Sequence, residues 1–209
     1  ERLDLEKRLG DEIYSGYQII CVTGPTKSGK SVLCRAVLKG RDSVWVHGGQ
    51  VSDVGDFWSQ ISDKLDLPEQ ETDGTLVGAE GGGGTGPFRL GGKGEKSKST
   101  VSRKNSAVSA LRHLIENNIA LVVDDFHYLA PEIQKKIVQS LKSEIFDGLT
   151  VLLIAVPHRA FDVVSVQREM EGRFANIEIP RWELEDLRRI ASLGFPALNA
   201  ELPMEVVDR

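Results

Sequence analysis

The chain has 209 residues, 40% of them hydrophobic, and its 26 basic and 31 acidic residues give a net charge of −5. A chain of this length can bury a sizeable core, as one large domain or one domain with a small appendage. The mild acidity argues against a protein whose whole surface binds nucleic acid, although it allows a local basic patch. No segment approaches the length of a membrane span and no secretory leader precedes the first element, so we expect a cytoplasmic protein with no membrane partner.

The two ends of the sequence and its two cysteines give two further expectations. The sequence begins at Glu1 rather than at a methionine and ends at Arg209, so we expect a fragment of a longer protein. Its two cysteines, Cys21 and Cys34, show neither metal-ligand spacing nor the pattern of a disulfide framework. We expect both to be reduced residues of the core.

The first predicted elements surround a glycine-rich loop. Spaced apolar residues from Leu3 to Ile13 predict a partly amphipathic helix, and residues 17–22 predict a short buried strand. Residues 24–31 then fit the phosphate-loop pattern G-x-x-x-x-G-K-[ST] at every fixed position. A helix over about residues 31–39 follows, and its free N–H groups and positive dipole end face the same loop. This order of strand, loop and helix indicates a nucleotide-binding site.

Each fixed letter of the loop has a chemical role. Glycines let backbone N–H groups turn toward a polyphosphate, and Lys30 is expected to reach its β and γ oxygens. The Ser31 hydroxyl is expected to ligate Mg²⁺. The alternative is a glycine-rich turn with an incidental lysine. The predicted nucleotide contacts are Gly24, Pro25, Thr26, Lys27, Ser28, Gly29, Lys30, Ser31 and Val32.

A second unit of strand and helix follows the loop. Residues 43–46 predict a strand, residues 47–50 predict a loop, and the next apolar stripe predicts a helix capped by Ser52 or Asp53. Periodic apolar positions place the two tryptophans of this region in the core. These tryptophans are Trp45 and Trp58.

The composition changes over residues 69–106. Glycines crowd between residues 81 and 94, and lysines and arginines follow among serines. Such a composition cannot build a core, so this stretch is interpreted as an insertion within the domain. It is either a solvated flexible insertion or an electrostatic tether to nucleic acid or to another anionic partner.

Two carboxylates follow the next predicted strand. A helix over about residues 107–118 leads to an apolar run at 119–123, which predicts a strand buried on both faces, and Asp124 and Asp125 come directly after it. Ligands of open α/β sheets lie beyond the carboxyl ends of the strands. Asp124 is therefore expected to hold Mg²⁺, mostly through water, and Asp125 to orient or deprotonate the attacking water.

The remaining elements continue the alternation of helices and strands, which predicts a three-layer α/β/α fold with a mainly parallel five-stranded sheet. Gly194 is expected to end the last helix. The remaining predicted elements are a helix beginning at Pro131, a strand at 150–155, a helix at 161–172, a strand at 176–180 and a helix at 182–193.

Together these motifs resemble the AAA+ and related STAND families of P-loop ATPases, over most of the chain outside the glycine-rich insertion. The phosphate loop resembles the Walker A motif, and residues 121–125 resemble the Walker B motif. Residues 171–180 are similar to the G-R-F…I-x-I-P segment of AAA+ proteins, in which an arginine acts on the nucleotide of the neighbouring subunit. The resemblance implies ATP and Mg²⁺ as cofactors, a homo-oligomer, and Arg173 as the catalytic arginine, with Arg168 as a second candidate.

The chain departs from the family pattern at two positions. His158 lies in the sensor-one segment, where asparagine or threonine is usual, and the resemblance gives it a catalytic role. Asp125 occupies the position of a glutamate, and this shorter side chain is commoner in STAND-type switches. The resemblance also implies a helical lid from about Asn199. The predicted domains are therefore an ATPase core at 1–198 and the start of a truncated lid at 199–209.

The leading functional hypothesis is an ATPase module whose nucleotide state controls self-assembly and the activity of a partner, as in initiator, transposition-regulator or bacterial defence and signalling ATPases. The alternative is a STAND-like nucleotide-gated switch that hydrolyses little ATP. A metabolite kinase is less favoured because of the Asp124-Asp125 pair and the G-R-F segment. A GTPase is less favoured still, because the N-K-x-D tetrad that reads guanine does not occur.

Overall fold

Helices and strands alternate along the residues that the structure describes, which are 2–67, 106–156 and 173–200 of a computed structural model. The strands are β1 (Ile19–Thr23), β2 (Ser43–His47), β3 (Ala120–Asp124), β4 (Val151–Ala155) and β5 (Phe174–Glu178). The helices are α1 (Leu3–Ser15), α2 (Lys30–Val37), α3 (Val54–Lys64), α4 (106–116), α5 (Pro131–Leu141) and α6 (Leu184–Ala197). None of these helices is both long enough and apolar enough to cross a membrane.

The five strands form one parallel sheet in the order β2-β3-β4-β1-β5. Strands β1, β3 and β4 are buried at every position, as expected of parallel strands covered on both faces. Because all strands run the same way, their carboxyl ends meet at one edge, which we call the carboxyl edge. The predicted three-layer α/β/α fold is confirmed.

Two hydrophobic clusters lie on opposite faces of the sheet, because successive side chains of a strand point to opposite sides. The first cluster packs the sheet against α3, α4 and α5, and it contains Cys21, Trp58 and Leu121. The second packs the sheet against α1 and α2, and it contains Cys34. Both cysteines are buried and free, and Trp58 is buried, as predicted. Trp45 is only half-buried, with the Arg35 guanidinium 4.0 Å from its ring centroid.

The last helix does not end at Gly194, so that prediction is wrong. Helix α6 continues through Gly194 and Pro196 to Ala197. It ends where Asn199 takes a left-handed backbone conformation with φ 52°. The Asn199 N–H donates to the Pro196 carbonyl at 3.0 Å, and the Ala200 N–H donates to the Phe195 carbonyl at 2.9 Å. These paired bonds form the common terminating motif of helices, in which asparagine can replace glycine.

Strand β5 begins two residues earlier than predicted. Phe174 and Ala175 pair with Ile19 and Ile20 of β1, which extends the strand toward its amino end. Glu178 is the last residue of the strand, although the Ile179 N–H still donates to the Thr23 carbonyl at 2.7 Å. The predicted helix at 161–172 lies outside the described residues, and so does the predicted lid beyond residue 200.

Candidate functional site

The glycine-rich loop connects the carboxyl end of β1 to α2. A side chain at Gly24 would meet the Ile179 carbonyl oxygen at 2.5 Å and the Ser28 Oγ at 3.0 Å, so only glycine fits there. Gly29 precedes α2 with φ 90°, a conformation that glycine adopts at little cost. No side chain caps the first turn of α2. Its backbone N–H groups therefore remain available to an anion.

Ser28 adds a polar group that faces this loop. Its Oγ is buried and has no hydrogen-bond partner among the described residues. A buried hydroxyl without a partner costs free energy unless a ligand or water satisfies it. The loop therefore has the features that a polyphosphate requires: close-packed glycines, uncapped N–H groups and an unsatisfied hydroxyl.

The Lys30 ammonium group lies within the loop itself. Its Nζ donates to the Gly24 carbonyl at 2.9 Å and to the Pro25 carbonyl at 2.7 Å. Burial lowers the pKa of Lys30 from its ordinary value of 10.5, while the charges of Asp124 and Asp125 oppose part of that shift. A phosphate entering the loop would offer this cation stronger, charged acceptors than two carbonyls.

A hydrogen bond joins the loop helix to β3. The Ser31 hydroxyl donates to Oδ2 of Asp124 at 2.8 Å, and the other carboxylate oxygen accepts the Asp125 N–H at 3.0 Å. Asp124 is only 8% exposed, so the site presents its carboxylate in one orientation. Two adjacent hard oxygen donors fit Mg²⁺, which takes its remaining ligands from phosphates and water. Within the described residues, no group of three or more His, Cys, Asp or Glu side chains could hold a metal ion.

Asp125 differs sharply from its neighbour. It is exposed and has a left-handed backbone with φ 56°, which aspartate tolerates better than most residues. It begins the short 3-10 helix Phe126–Tyr128, and its carbonyl accepts the Tyr128 N–H at 2.9 Å. The turn therefore directs this second carboxylate to solvent at the carboxyl edge.

His47 also belongs to this edge, although the sequence analysis assigned it to a loop. It is the last residue of β2 and pairs in register with Asp124 of β3. In-register residues of parallel strands point to the same face, so His47 and Asp124 share the face covered by α2. The alternating pattern of Ser43 to Val46 could have been extended by one residue to include it.

Trp182 and Arg2 border the loop on another side, and neither was predicted as a site residue. Trp182 lies so close to Gly29 that a side chain there would meet its ring at 3.4 Å. The Arg2 guanidinium lies 3.8 Å from the Trp182 ring centroid and donates to the carbonyls of Ser28 at 3.1 Å and Pro180 at 2.9 Å. Trp182 also lines a cavity of about 400 Å³ along α6. No local sequence pattern predicts these contacts of Arg2 and Trp182, because the residues that meet are far apart in the chain.

The predicted catalytic arginine lies at the opposite end of the strands, where their amino ends meet, which we call the amino edge. Arg173 directly precedes β5, and its carbonyl accepts the Ile19 N–H at the start of β1 at 2.8 Å. The whole length of β1 therefore separates it from Gly24, about 20 Å at the rise of a parallel strand. His158 and Arg168 lie outside the described residues. Val32 lies in the first turn of α2 with its side chain 72% exposed.

Comparison with known proteins gives a family match for the chain. The family model described as AAA domain matches residues 13–163, more than half of the chain. No curated protein sequence matches the chain.

Solved structures share the fold at low sequence identity. The Walker-type ATPase of Pyrococcus abyssi matches with a TM-score of 0.69 and 14% identity, over 99% of this chain and 61% of that one. The ORC1 protein of Aeropyrum pernix in complex with DNA matches with a TM-score of 0.64 and 12% identity, over 98% of this chain and 51% of that one. The replication initiator DnaA bound to AMPPCP and single-stranded DNA matches with a TM-score of 0.53 and 16% identity, over 99% of this chain and 54% of that one. The chain thus spans only about half to three fifths of the length of these proteins.

Proposed function

The chain belongs to the AAA domain family, and we propose that it binds ATP with Mg²⁺, hydrolyses it, and uses its nucleotide state to control self-assembly and a partner's activity. The observation that carries the proposal is the 2.8 Å hydrogen bond between Ser31 and Asp124, which joins the loop to β3 at the carboxyl edge. A hydroxyl and a carboxylate held together beside a phosphate-binding loop are the protein's ligands for a nucleotide-bound Mg²⁺.

Each residue of the site receives a role from this arrangement. Lys30 exchanges its two loop carbonyls for the β and γ oxygens of ATP, where its charge is most useful. Ser31 and Asp124 would hold the metal ion, which would neutralise charge on the phosphates. Asp125, exposed beyond the strand end, orients the attacking water. His158 remains a proposed sensor of the γ-phosphate.

Trp182 and Arg2 form the boundary of the site away from Asp124. A flat aromatic ring beside Gly29 offers a stacking surface for the base of a nucleotide whose phosphates occupy the loop. Arg2 packs against one face of that ring, which leaves the other face for the base, and it ties the Ser28 carbonyl to the Pro180 carbonyl. We therefore assign the base to the Trp182 side of the loop.

Arg173 is proposed to act on the nucleotide of a neighbouring subunit. Its position at the amino edge, about 20 Å from its own loop, prevents it from reaching its own nucleotide. A guanidinium delivered by a second copy can stabilise the charge on the transferring phosphoryl group, and such arginines contribute on the order of 10³–10⁵ in rate. The proposed homo-oligomer follows from this requirement.

Binding and mixing experiments test these roles. Lys30→Ala is expected to abolish tight ATP binding measured by calorimetry, whereas Lys39→Ala, an exposed lysine beyond the far end of α2, is expected to retain it. Unchanged ATP affinity in a folded Lys30→Ala protein would refute the nucleotide site.

The trans role of Arg173 is tested by mixing two inactive proteins. An Arg173→Ala chain keeps its own Lys30, and a Lys30→Ala chain keeps its Arg173, so mixed oligomers should contain some complete sites. We expect ATP turnover to recover on mixing and to rise faster than linearly with concentration. An Arg173→Ala protein that is fully active alone would contradict the trans role.

A slow switch is the second candidate function. Asp125 has one methylene group fewer than the glutamate that is usual at this position in AAA+ proteins. Because its side chain is exposed, few neighbouring groups can help it to position a water molecule. Nucleotide-dependent assembly without measurable turnover would favour this reading over an active ATPase.

A further inference from the structure

Arg173 makes a specific contact within its own chain. Its guanidinium carbon lies 4.5 Å from the centroid of the Phe146 ring, within the distance at which a cation is attracted to an aromatic face. Phe146 belongs to the turns between α5 and β4, far from Arg173 in sequence. The contact is therefore a product of the fold.

The backbone around Phe146 is held firmly although its ring is 52% exposed. Its neighbours Ile145 and Leu149 are buried in the first hydrophobic cluster. The Phe146 N–H donates to the Ser143 carbonyl at 3.1 Å, and the Leu149 N–H donates to the Glu144 carbonyl at 3.1 Å. The ring is thus an exposed surface on a backbone segment anchored by buried neighbours.

The sheet order explains why this ring reaches Arg173. Strands β4 and β5 are the two neighbours of β1, so their amino ends lie about 10 Å apart on either side of it. Phe146 precedes β4 and Arg173 precedes β5, and their side chains meet across the start of β1. Both therefore lie at the amino edge, on the surface that the trans role of Arg173 assigns to the subunit interface.

We propose that Phe146 is a positioning residue that holds the Arg173 guanidinium ready for the nucleotide of a second copy of this chain. The inference rests on the proposed trans role of Arg173. Without the ring, a long arginine side chain at an exposed edge samples many rotamers, and ordering it at the interface costs conformational entropy. An exposed cation–π contact raises the population of the positioned rotamer by about 2- to 5-fold.

Substitutions of Phe146 separate positioning from packing. In Phe146→Leu, kcat for ATP is expected to fall by about 2- to 5-fold, while KM, ATP affinity and the melting temperature stay near wild type. Phe146→Tyr and Phe146→Trp keep an aromatic face and are expected to retain kcat. Tyr14→Leu, which removes a fully exposed aromatic side chain from α1, is the matched control and should change nothing.

A spectroscopic readout tests the geometry without turnover. The Arg173 side-chain protons lie over an aromatic ring and should be shifted upfield in NMR spectra of the full chain. This shift is expected to vanish in Phe146→Leu and to persist in Phe146→Tyr. An Arg173 resonance that is the same in wild type and Phe146→Leu would overturn the contact itself.

The kinetic outcomes distinguish this inference from the proposed function. Wild-type kcat in Phe146→Leu beside a defective Arg173→Ala would overturn the role of Phe146 and leave the trans arginine intact. Equal loss in Phe146→Leu and Phe146→Tyr would also overturn it, because the effect would then follow packing rather than the aromatic face. Full activity of Arg173→Ala would overturn both. If the wild type hydrolyses no ATP, the proposed hydrolysis fails and the NMR comparison alone decides whether Phe146 holds Arg173.

Discussion

At the scale of single residues, the two consecutive carboxylates occupy very different environments. Asp124 is buried, and each of its carboxylate oxygens accepts a hydrogen bond. Asp125 is exposed on a left-handed residue beyond the strand. Burial with fixed partners suits a metal ligand, whereas exposure near the ligand suits a group that handles water. Adjacent positions can therefore have separate functions.

Substituting asparagine at each position in turn tests whether Asp124 and Asp125 have these separate roles. Asp124→Asn keeps the shape but removes the charge, so ATP binding is expected to lose most of its dependence on Mg²⁺. Asp125→Asn is expected to keep ATP affinity and slow hydrolysis by roughly 10²–10⁴-fold, the usual contribution of a general base. Calorimetry with and without Mg²⁺ and steady-state turnover measure the two effects. Wild-type turnover in Asp125→Asn would mean that another residue positions the water.

The two cysteines provide a second prediction at this scale. Burial raises the pKa of Cys21 to about 12, and burial with a smaller contribution from Asp124 raises the pKa of Cys34 to about 12. Because the thiolate is the reactive form, both should resist alkylation at pH 8 in the folded protein and react after unfolding, as mass spectrometry would show. Between the ordinary value of 9.0 and about 12 the unfolded thiols ionise first, so stability should fall as pH rises. Rapid alkylation of either cysteine under native conditions would contradict the described packing.

At the scale of elements, the turn after β2 packs closely against the turn after β3 at the carboxyl edge. Gly48 follows β2 and touches the turn after β3, where a side chain would lie 2.5 Å from the Asp125 carbonyl oxygen. Gly49 is open by comparison, since a side chain there would meet only Tyr128, at 3.9 Å. The spacing of β2 and β3 at this edge therefore depends on one glycine and not on its neighbour.

Alanine substitutions of these adjacent glycines form a matched test. Gly48→Ala must push the Asp125 turn away and is expected to destabilise the fold by about 1–3 kcal/mol. It should also slow ATP turnover by displacing Asp125. Gly49→Ala is expected to be neutral or to stabilise by up to about 1 kcal/mol, because alanine restricts the unfolded chain. Urea unfolding measures both variants, and equal stabilities would show that the turns can separate freely.

At the scale of the whole molecule, the proposed nucleotide site and the proposed trans arginine lie at opposite ends of the strands, one strand length apart. The nucleotide loop, Asp124 and Asp125 lie at the carboxyl edge, whereas Arg173 and Phe146 lie at the amino edge. One chain cannot bring these groups together, because the core between them is rigid. If Arg173 acts on ATP as proposed, it must do so on the nucleotide of a second copy, so turnover is expected to depend on assembly.

The glycine-rich insertion should be dispensable for the fold. Leu67, at the end of the first described range, and Ala107, near the start of the next, both pack against the first hydrophobic cluster. Shortening the connection between two anchored ends changes the closure free energy by only about 0.6 kcal/mol per halving of loop length. Deletion of residues 75–100 is therefore expected to leave the melting temperature and ATP affinity near wild type. An insoluble deletion protein would contradict this expectation.

Nucleic-acid binding, if the basic insertion provides it, should disappear with the same deletion. Binding through lysines and arginines to phosphates weakens steeply with salt. Anisotropy titrations with single-stranded and double-stranded DNA at several salt concentrations are expected to show that dependence in the full chain only. Equal binding by the deletion protein would place any nucleic-acid site elsewhere.

The sequence by itself determined the features whose signals are local. The phosphate-loop pattern, the paired aspartates after an apolar run and the alternation of helices with buried strands predicted the fold class and the loop, because each depends on neighbouring residues. Local reasoning misjudged the end of α6, where Gly194 was helical and the Schellman-type bonds formed around Asn199.

Only the tertiary structure decided which distant residues meet. The sheet order inserts β4 between β3 and β1, so it brings Phe146 to Arg173, and the register of β2 with β3 puts His47 beside Asp124. Arg2 reaches Ser28 and Trp182 through the same long-range packing. No periodicity or motif in the sequence predicts these contacts. They depend on how whole strands and helices pack to bury their apolar faces, and not on residues that are neighbours in the chain.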